Sequence, residues 1–146
     1  MRHFILGYLA CLATIVAVGI FARAVAQTYL VFPMASYHTE RKGYNQINPG
    51  LGIERRLDER WSIGAGYYRN SVRKDSLYAG AHYMPWRVGE IRIGTALGVA
   101  TGYGGLLPMV APAAVWDGPK LGVAVLVTPP VSGKAMAGVM LRWRLD

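Results

Sequence analysis

The sequence has very little cysteine and little acidic charge, and it lacks the common motifs for metal or nucleotide binding. Cys11 is the only cysteine. It lies in a segment that we expect to be removed, so the rest of the chain offers no thiol for catalysis and no disulfide. No cysteine or histidine spacing is typical of a metal site, and no glycine-rich phosphate loop precedes a helix. We therefore expect neither a metal nor a cofactor.

The first 26 residues are typical of an export signal. After a short basic start, residues 4–22 are uncharged and mostly apolar, and Ala24-Val25-Ala26 forms an A-x-A cleavage site. We expect a helical signal peptide over 1–26, removed by cleavage, and a single domain over 27–146. A helix over 4–22 would be about 28 Å long, just enough to span a bilayer. An uncleaved anchor is therefore an alternative, and a lipoprotein site at Cys11 is another.

The chain is basic, with 16 Lys and Arg against 8 Asp and Glu. The first 26 residues hold two arginines and no acid, so the remainder keeps a net charge of +6. This charge suits an anionic partner, such as a phosphorylated lipid, a nucleic acid or an acidic glycan. The export signal and the lack of a basic–aromatic pattern argue against a nucleic-acid partner.

After Gln27 the sequence contains strand-length runs with a period of two and no convincing helix. In residues 61–67, for example, large apolar residues alternate with Ser and Gly, and 91–100 follows the same pattern. One face is large and apolar, whereas the other is mostly Gly, Ala and Ser. This pattern is typical of a transmembrane β-barrel, which turns large residues toward lipid and small or polar ones inward. A soluble periplasmic β-domain is the alternative.

The sequence predicts an all-β fold, an eight-stranded antiparallel up-and-down transmembrane β-barrel of the outer-membrane type. The predicted strands are 29–39, 48–57, 61–69, 75–85, 90–102, 106–116, 120–129 and 134–145. Their connectors alternate between tight and longer, as in barrels with short periplasmic turns and longer outer loops. Aromatic residues near strand ends would form interfacial girdles; these are Trp61, Trp86, Tyr103, Trp116 and Trp143.

An eight-stranded barrel is too narrow for a water channel, and its interior holds side chains or one small ligand. Small inward residues would leave room for a linear acyl chain; they are Gly50, Gly52, Gly64, Gly66, Gly94, Ala96, Gly98, Gly122 and Ala124. Larger inward residues would instead fill the space; they are Tyr68, Tyr78, His82, Met84 and Arg142. The periodicity supports both interpretations equally.

The ends of strands 1 and 3 bring polar residues to one rim of the predicted barrel. His38 and Ser71 lie at these ends, and two strand spacings put their backbones about 10 Å apart. A histidine with a serine is the minimum for acyl transfer, with imidazole as base and hydroxyl as nucleophile or donor. A merely solvated rim histidine is the alternative. Basic residues cluster at the same rim and would either hold lipid phosphates or form a solvated loop; they are Arg41, Lys42, Arg69, Arg73, Lys74 and Lys134.

Several stretches, taken in order, resemble the PagP family of outer-membrane lipid A palmitoyltransferases. "YLVFPMASYH" places Pro33 five residues before His38, and "GYNQINPGLG" is similar to the family's second strand. "YRNS" aligns with the family's Asp-Ser pair, "LYAG" with its glycine-containing fourth strand and "PWR" with the turn that follows. "LLPMVAPAAV" and "LVTPPV" carry prolines like those that thin the family's barrel wall. No single motif is decisive, but their order and spacing are fairly specific.

The resemblance implies an eight-stranded barrel with an acyl chain inside, which moves palmitate from a phospholipid to lipid A. It implies His38 as base, Ser71 as its partner and Asn70 as a positioning residue. Prolines within strands remove ladder hydrogen bonds, so Pro33 with Pro49, and Pro112 with Pro129, are candidate lateral gates for lipid. Ordinary strand ends are the alternative for these prolines. Other residues implied to contact substrate are Arg69, Arg73, Lys74, Gly80 and His82.

The sequence departs from that family in three ways. Asn70 stands where the family has an aspartate, and an amide cannot carry the charge that stabilises an imidazolium; Asp75 or Glu40 would have to compensate. The family's amphipathic helix before strand 1 is missing, and the first outer loop is shorter. His82 lies near the floor of the family's acyl pocket, where a bulky residue would shorten the acyl chain that is accepted or fill the pocket.

The leading hypothesis is a monomeric outer-membrane acyltransferase whose partners are phospholipid and lipid A. Asn70, the short loop and His82 favour a second hypothesis, a non-catalytic or lipid-binding barrel that keeps the scaffold without the chemistry. A periplasmic binding module is a third.

Overall fold

A computed structural model describes residues 27–40, 42–131 and 134–146, without the side chains of 129–131 and 134. The predicted signal peptide over 1–26, with Cys11, lies outside the described residues, as does Arg41. In the described part of the chain, no helix is long and apolar enough to cross a membrane.

Eight antiparallel strands form a closed barrel, in which each strand pairs with its sequence neighbours and β1 pairs with β8. The strands are β1 (Thr28–His38), β2 (Gly50–Arg56), β3 (Trp61–Arg69), β4 (Asp75–Val88), β5 (Ile91–Ala100), β6 (Leu107–Asp117), β7 (Leu121–Val131) and β8 (Lys134–Arg144). The predicted fold class is confirmed, with every predicted strand found within a few residues of its predicted bounds.

The two ends of the barrel differ in the length of their connections, as the sequence predicts. One end has the tight turns 57–60, 89–90 and 118–120. The start of β1 and the end of β8 also lie at this end, where Leu145 N donates to Thr28 O over 2.9 Å. The other end has the longer connections 39–49, 70–74 and 101–106. We call the second end the outer rim, and it carries His38, Asn70 and Ser71.

Side chains alternate between the barrel interior and its outer surface. On β6, for example, Ala111, Ala113 and Val115 are buried, whereas Val110, Pro112 and Trp116, which alternate with them or flank them, are exposed. The outer surface carries large apolar side chains on every strand, among them Leu51, Ile53, Leu77, Trp86, Leu97, Val110, Leu121 and Val139. Water would not favour so much exposed apolar area, whereas lipid would.

Three irregularities in the strand register fall at prolines. They lie between Pro33 and Ala35 on β1, between Tyr83 and Trp86 on β4, around Pro85, and between Thr128 and Val131 on β7, around Pro129. Proline cannot donate a ladder hydrogen bond, so it is tolerated at such bulges. The prediction that strand 4 ends at residue 85 is therefore too short, because β4 continues past the bulge to Val88.

Two of the eight ladders stop well below the outer rim. The β6–β7 ladder runs from Asp117–Gly122 only to Ala113–Leu126. The β1–β2 ladder runs from Thr28–Arg55 to Val31–Gly52. Among the described residues neither ladder continues toward the rim, apart from one isolated bridge between Ala35 and Ile47. The wall thus has two interruptions on the side nearer the long loops.

Candidate functional site

The lower half of the interior, nearer the tight turns, is filled by a network of charged side chains from four strands. Arg142 is fully buried, donates to Glu54 over 2.8 Å and also bonds Asp117. Arg92 donates to the other oxygen of Asp117 over 2.7 Å. The Arg142 guanidinium also lies 4.0 Å above the Tyr29 ring. Opposite charges in bonding geometry offset the cost of burying each of them, so this network closes the lower lumen.

An apolar cavity of about 100 Å³ lies above the charged network. Its wall includes Val31, Ala96, Met109, Ala111, Leu126, Met136 and Met140, and its lining also includes Glu54 and His82. His82 Nδ1 lies 3.6 Å from a Glu54 carboxylate oxygen. Of the two interiors that the sequence allowed, the barrel has both: large side chains fill the lower part, and space remains in the middle.

Small residues keep this middle part open. A Cβ on Gly80 would lie 2.3 Å from the backbone oxygen of Leu97, and one on Gly52 would lie 2.1 Å from the Tyr78 hydroxyl. Any side chain at these positions would force the neighbouring strand or ring to move. Gly80 lines the cavity, and its predicted contact with an acyl chain stays a prediction.

The interrupted ladders flank the proline pairs predicted as lateral gates. Pro112 lies one residue above the last β6–β7 pair, and Pro129 lies on the facing part of β7. Pro33 lies two residues above the last β1–β2 pair, and Pro49 immediately precedes β2. Residues 46–48 partly span that second interruption, because Asn48 N donates to Met34 O over 2.8 Å. The β6–β7 interruption is therefore the more open.

His38 lies at the outer rim and takes part in a short chain of hydrogen bonds. Its Nε2 lies 3.3 Å from Ser36 Oγ, and Ser36 Oγ donates to Asn48 Oδ1 over 2.6 Å. The Tyr44 ring packs on the imidazole with a centroid distance of 4.7 Å. A rim pocket next to the histidine is lined by Tyr37, His38, Glu40, Gly43, Tyr44 and Gln46. An imidazole beside a pocket that opens to the rim can accept a proton from a bound hydroxyl.

Asn70 and Ser71 lie in the loop between β3 and β4, where their described contacts hold the loop together. Asn70 donates to Ser76 Oγ over 2.9 Å and to Gly102 O over 3.0 Å. Ser71 is buried, and its carbonyl accepts from Asn45 N over 2.8 Å. Within the described part of the chain, no hydrogen bond joins either residue to His38. Their catalytic roles stay predictions.

The three basic residues predicted to meet phosphates lie together on the rim. Arg69 and Lys74 are exposed, and Arg69 Nη1 is 4.0 Å from Asp75. Arg73, at φ 60°, donates to Gly43 O over 3.0 Å and links the loop after β3 to the loop after β1. Their exposed positive charge can attract an anionic lipid headgroup.

Sequence reasoning missed several residues of this site. Ser36 shares the inward face of β1 with His38, and Asn48 directly precedes Pro49, so strand periodicity and the proline offered signals for both. Glu54 continues the inward set of Gly50 and Gly52 on β2, and a charge there should have indicated a buried partner. The contact of Arg142 with Asp117 joins β8 to β6 across the barrel interior, so no local sequence pattern could predict it.

Comparisons with known proteins add evidence on the fold. The chain matches no protein-family model and no curated protein. Among solved structures it is similar to the solution NMR structure of the de novo designed protein TMB2.3, an eight-stranded transmembrane barrel. The TM-score is 0.64 with 17% sequence identity, and the match covers 85% of this chain and 98% of the designed chain. At this identity the likeness shows the fold alone: an eight-stranded barrel of the transmembrane type.

Proposed function

We propose that this protein is an outer-membrane acyltransferase that moves a fatty acyl chain from a phospholipid to lipid A. The observation that carries the proposal is the apolar cavity beneath His38, next to an interrupted β6–β7 ladder. This combination offers a route for an acyl chain from the surrounding lipid into the barrel. The resemblance of the sequence to the PagP family supports the same function.

In the proposed reaction the acyl chain of a phospholipid enters between β6 and β7 and occupies the cavity. Its ester carbonyl then lies at the rim near His38. The imidazole takes the proton of an acceptor hydroxyl, whose oxygen attacks the ester carbon. The bond to the glycerol oxygen breaks, and that oxygen leaves with the proton. Arg69, Arg73 and Lys74 hold the phosphates of donor or acceptor.

The size of the cavity favours a short acyl chain. Its volume is about 100 Å³, whereas an engineered apolar cavity of about 150 Å³ holds a single benzene. His82 and Glu54 form the floor and limit the depth. We therefore propose that the transferred chain is shorter than palmitate.

The proposal is tested by expressing the protein in a Gram-negative strain without its own lipid A palmitoyltransferase. Mass spectrometry of lipid A should show an added acyl chain, and its mass gives the chain length. The His38→Ala variant should lose at least about 100-fold of this activity, since general base catalysis contributes about 10²–10⁴-fold. Leu77→Ala is the matched control, because its side chain lies on the outer surface of β4 and lines neither the cavity nor the rim pocket.

The enzyme proposal fails if lipid A is unchanged while the protein is folded in the outer membrane, as judged by heat-modifiable gel mobility. Equal activity of wild type and His38→Ala would remove the assigned base. A shift in acyl length in His82→Gly would identify the cavity floor.

A second candidate, a non-catalytic lipid-binding barrel, is favoured by one observation. The position where the family has a carboxylate is occupied by Asn70, whose side chain forms hydrogen bonds within the loop between β3 and β4. In that case phospholipid would occupy the cavity in purified protein, but lipid A would stay unmodified with or without His38.

A further inference from the structure

A chain of three hydrogen bonds runs from the His38 ring to the end of β3. His38 Nε2 lies 3.3 Å from Ser36 Oγ, and Ser36 Oγ lies 2.6 Å from Asn48 Oδ1. Asn48 Nδ2 lies 3.0 Å from the backbone oxygen of Arg69. This hydrogen-bond chain crosses the part of the wall where the β1–β2 ladder is interrupted. Side-chain hydrogen bonds therefore link β1 to the segment just before β2, where backbone hydrogen bonds of the ladder stop.

The direction of every bond in this chain is fixed from its far end. The Arg69 carbonyl can only accept, so the Asn48 amide nitrogen must donate to it. That choice turns the amide oxygen toward Ser36. Because this oxygen can only accept, the single hydroxyl proton of Ser36 is used on it. Ser36 Oγ can then only accept a hydrogen bond from His38, so the His38 ring must carry its hydrogen on Nε2.

We propose that Asn48 is a positioning residue that, through Ser36, keeps the proton of neutral His38 on Nε2 and leaves Nδ1 as the proton acceptor. The importance of this acceptor for acyl transfer rests on the proposed function, whereas the tautomer itself does not. A histidine base needs its proton on the nitrogen that faces its orienting partner. Here a neutral serine–asparagine pair supplies that orientation.

The surroundings hold the chain rigidly enough for this role. Asn48 is 5% exposed, and its backbone is fixed by the bond of its N–H to Met34. Ser36 N donates to Gln46 O over 2.8 Å, which holds Ser36 against the same loop. Across the described residues, no side chain or backbone group bonds His38 Nδ1. That nitrogen is therefore left for a substrate proton.

The bulge on β1 turns the face that Ser36 and His38 share toward the barrel interior. Before the bulge the buried residues are Tyr29 and Val31, at odd positions, whereas Ser36 and His38 face inward at even positions. One extra residue in the strand makes this change of parity. A regular strand would turn Ser36 and His38 toward the outer surface.

The tautomer is measured directly on protein folded in detergent micelles, without substrate. Proton–nitrogen correlation spectra of ring-labelled histidine show which ring nitrogen carries the hydrogen, at a pH where the ring is neutral. The His38 signals are assigned by their loss in His38→Gln. Wild type is expected to show the Nε2–H form in clear excess. A majority of the Nδ1–H form would overturn the proposal.

Two variants distinguish positioning from general support of the fold. Asn48→Ala frees the Ser36 hydroxyl to turn and donate to Nε2, so the share of the Nδ1–H form should rise above its wild-type value. Ser36→Ala removes the acceptor and should give a mixture. Adding Asn48→Ala to Ser36→Ala should then change nothing further, because Asn48 acts through Ser36. Ser36→Thr keeps the hydroxyl and should restore the wild-type spectrum.

Asn45→Ala is the matched control, because Asn45 lies in the same loop and bonds Ile47 O rather than Ser36. It loosens the loop and should leave the His38 tautomer unchanged. An unchanged tautomer in Asn48→Ala, or an equal change in Asn45→Ala, would overturn the proposal.

If acyl transfer is observed, Asn48→Ala should lower kcat at least about 10-fold with KM unchanged, since a wrong tautomer costs up to about 10⁴-fold in a serine protease. If no transfer is observed, the tautomer result stands without it.

Discussion

Asn70 is fully buried, and its side chain makes four hydrogen bonds within and beside the loop after β3. Its oxygen accepts from the backbone N–H groups of Val72 and Lys74, over 3.0 and 2.9 Å. Its nitrogen donates to Ser76 Oγ and Gly102 O. The amide is thus required as both acceptor and donor. This explains why an asparagine, rather than the aspartate of the PagP family, suits this loop.

Replacing Asn70 with aspartate should destabilise the protein, although it restores the residue of the family that the sequence resembles. A carboxylate oxygen would face the Gly102 carbonyl, and two acceptors repel. We expect a loss of about 1–3 kcal/mol in the free energy of unfolding, the range for an unsatisfied buried polar group. Urea unfolding followed by tryptophan fluorescence in micelles measures it. Asn45→Asp, on a half-buried asparagine whose bond to Ile47 O is exposed to solvent, is the control, and equal losses in both would contradict this explanation.

At the scale of the strands, the sequence predicted the features that depend on local pattern, which are the strand positions and the faces of their side chains. Period-two alternation located all eight strands, and large residues outside with small ones inside followed from the same pattern. The bulges were not predicted, because they depend on how a proline fits against a neighbouring strand. Without the bulge, a regular β1 does not place residues 29, 31, 36 and 38 on one face.

The interruption between β6 and β7 gives an element-scale prediction. Pro112→Val returns a backbone N–H directly above the last pair, Ala113–Leu126, and should let the ladder extend toward Val127. We expect the free energy of unfolding to rise by about 1 kcal/mol for a new ladder hydrogen bond. Acyl transfer should slow, because the route into the cavity narrows. Unfolding curves and initial rates of lipid A modification measure the two effects.

Pro85→Val is the matched control, because Pro85 also lies at an irregularity but the β4–β5 ladder continues on both sides of it. Substitution there should leave acyl transfer unchanged. Faster transfer in Pro112→Val than in wild type would show that lipid does not enter between β6 and β7.

At the scale of the whole molecule, the barrel has a closed charged half and a more open apolar half. The charged network joins β2, β5, β6 and β8, which lie far apart in sequence. The apolar cavity, the interrupted ladders and His38 all lie on the outer-rim side of it. The sequence identified Arg142 as an interior residue, but its partners follow only from barrel closure. The proposed function thus places lipid access in the half of the interior opposite to the charged network.

Arg142→Ala should therefore be among the most destabilising substitutions in this protein. It leaves the Glu54 and Asp117 carboxylates buried without their shared cation, and breaking a buried pair costs about 3–5 kcal/mol. Urea unfolding in micelles should show this loss, with little folded protein left at moderate urea. Arg87→Ala removes an exposed arginine whose side chain, among the described residues, bonds only Gly89 O, so it should cost less than about 1 kcal/mol. Adding Glu54→Gln to Arg142→Ala should recover part of the loss, because one unpaired buried charge is removed. If the two single variants are equally stable, the network does not hold the barrel closed.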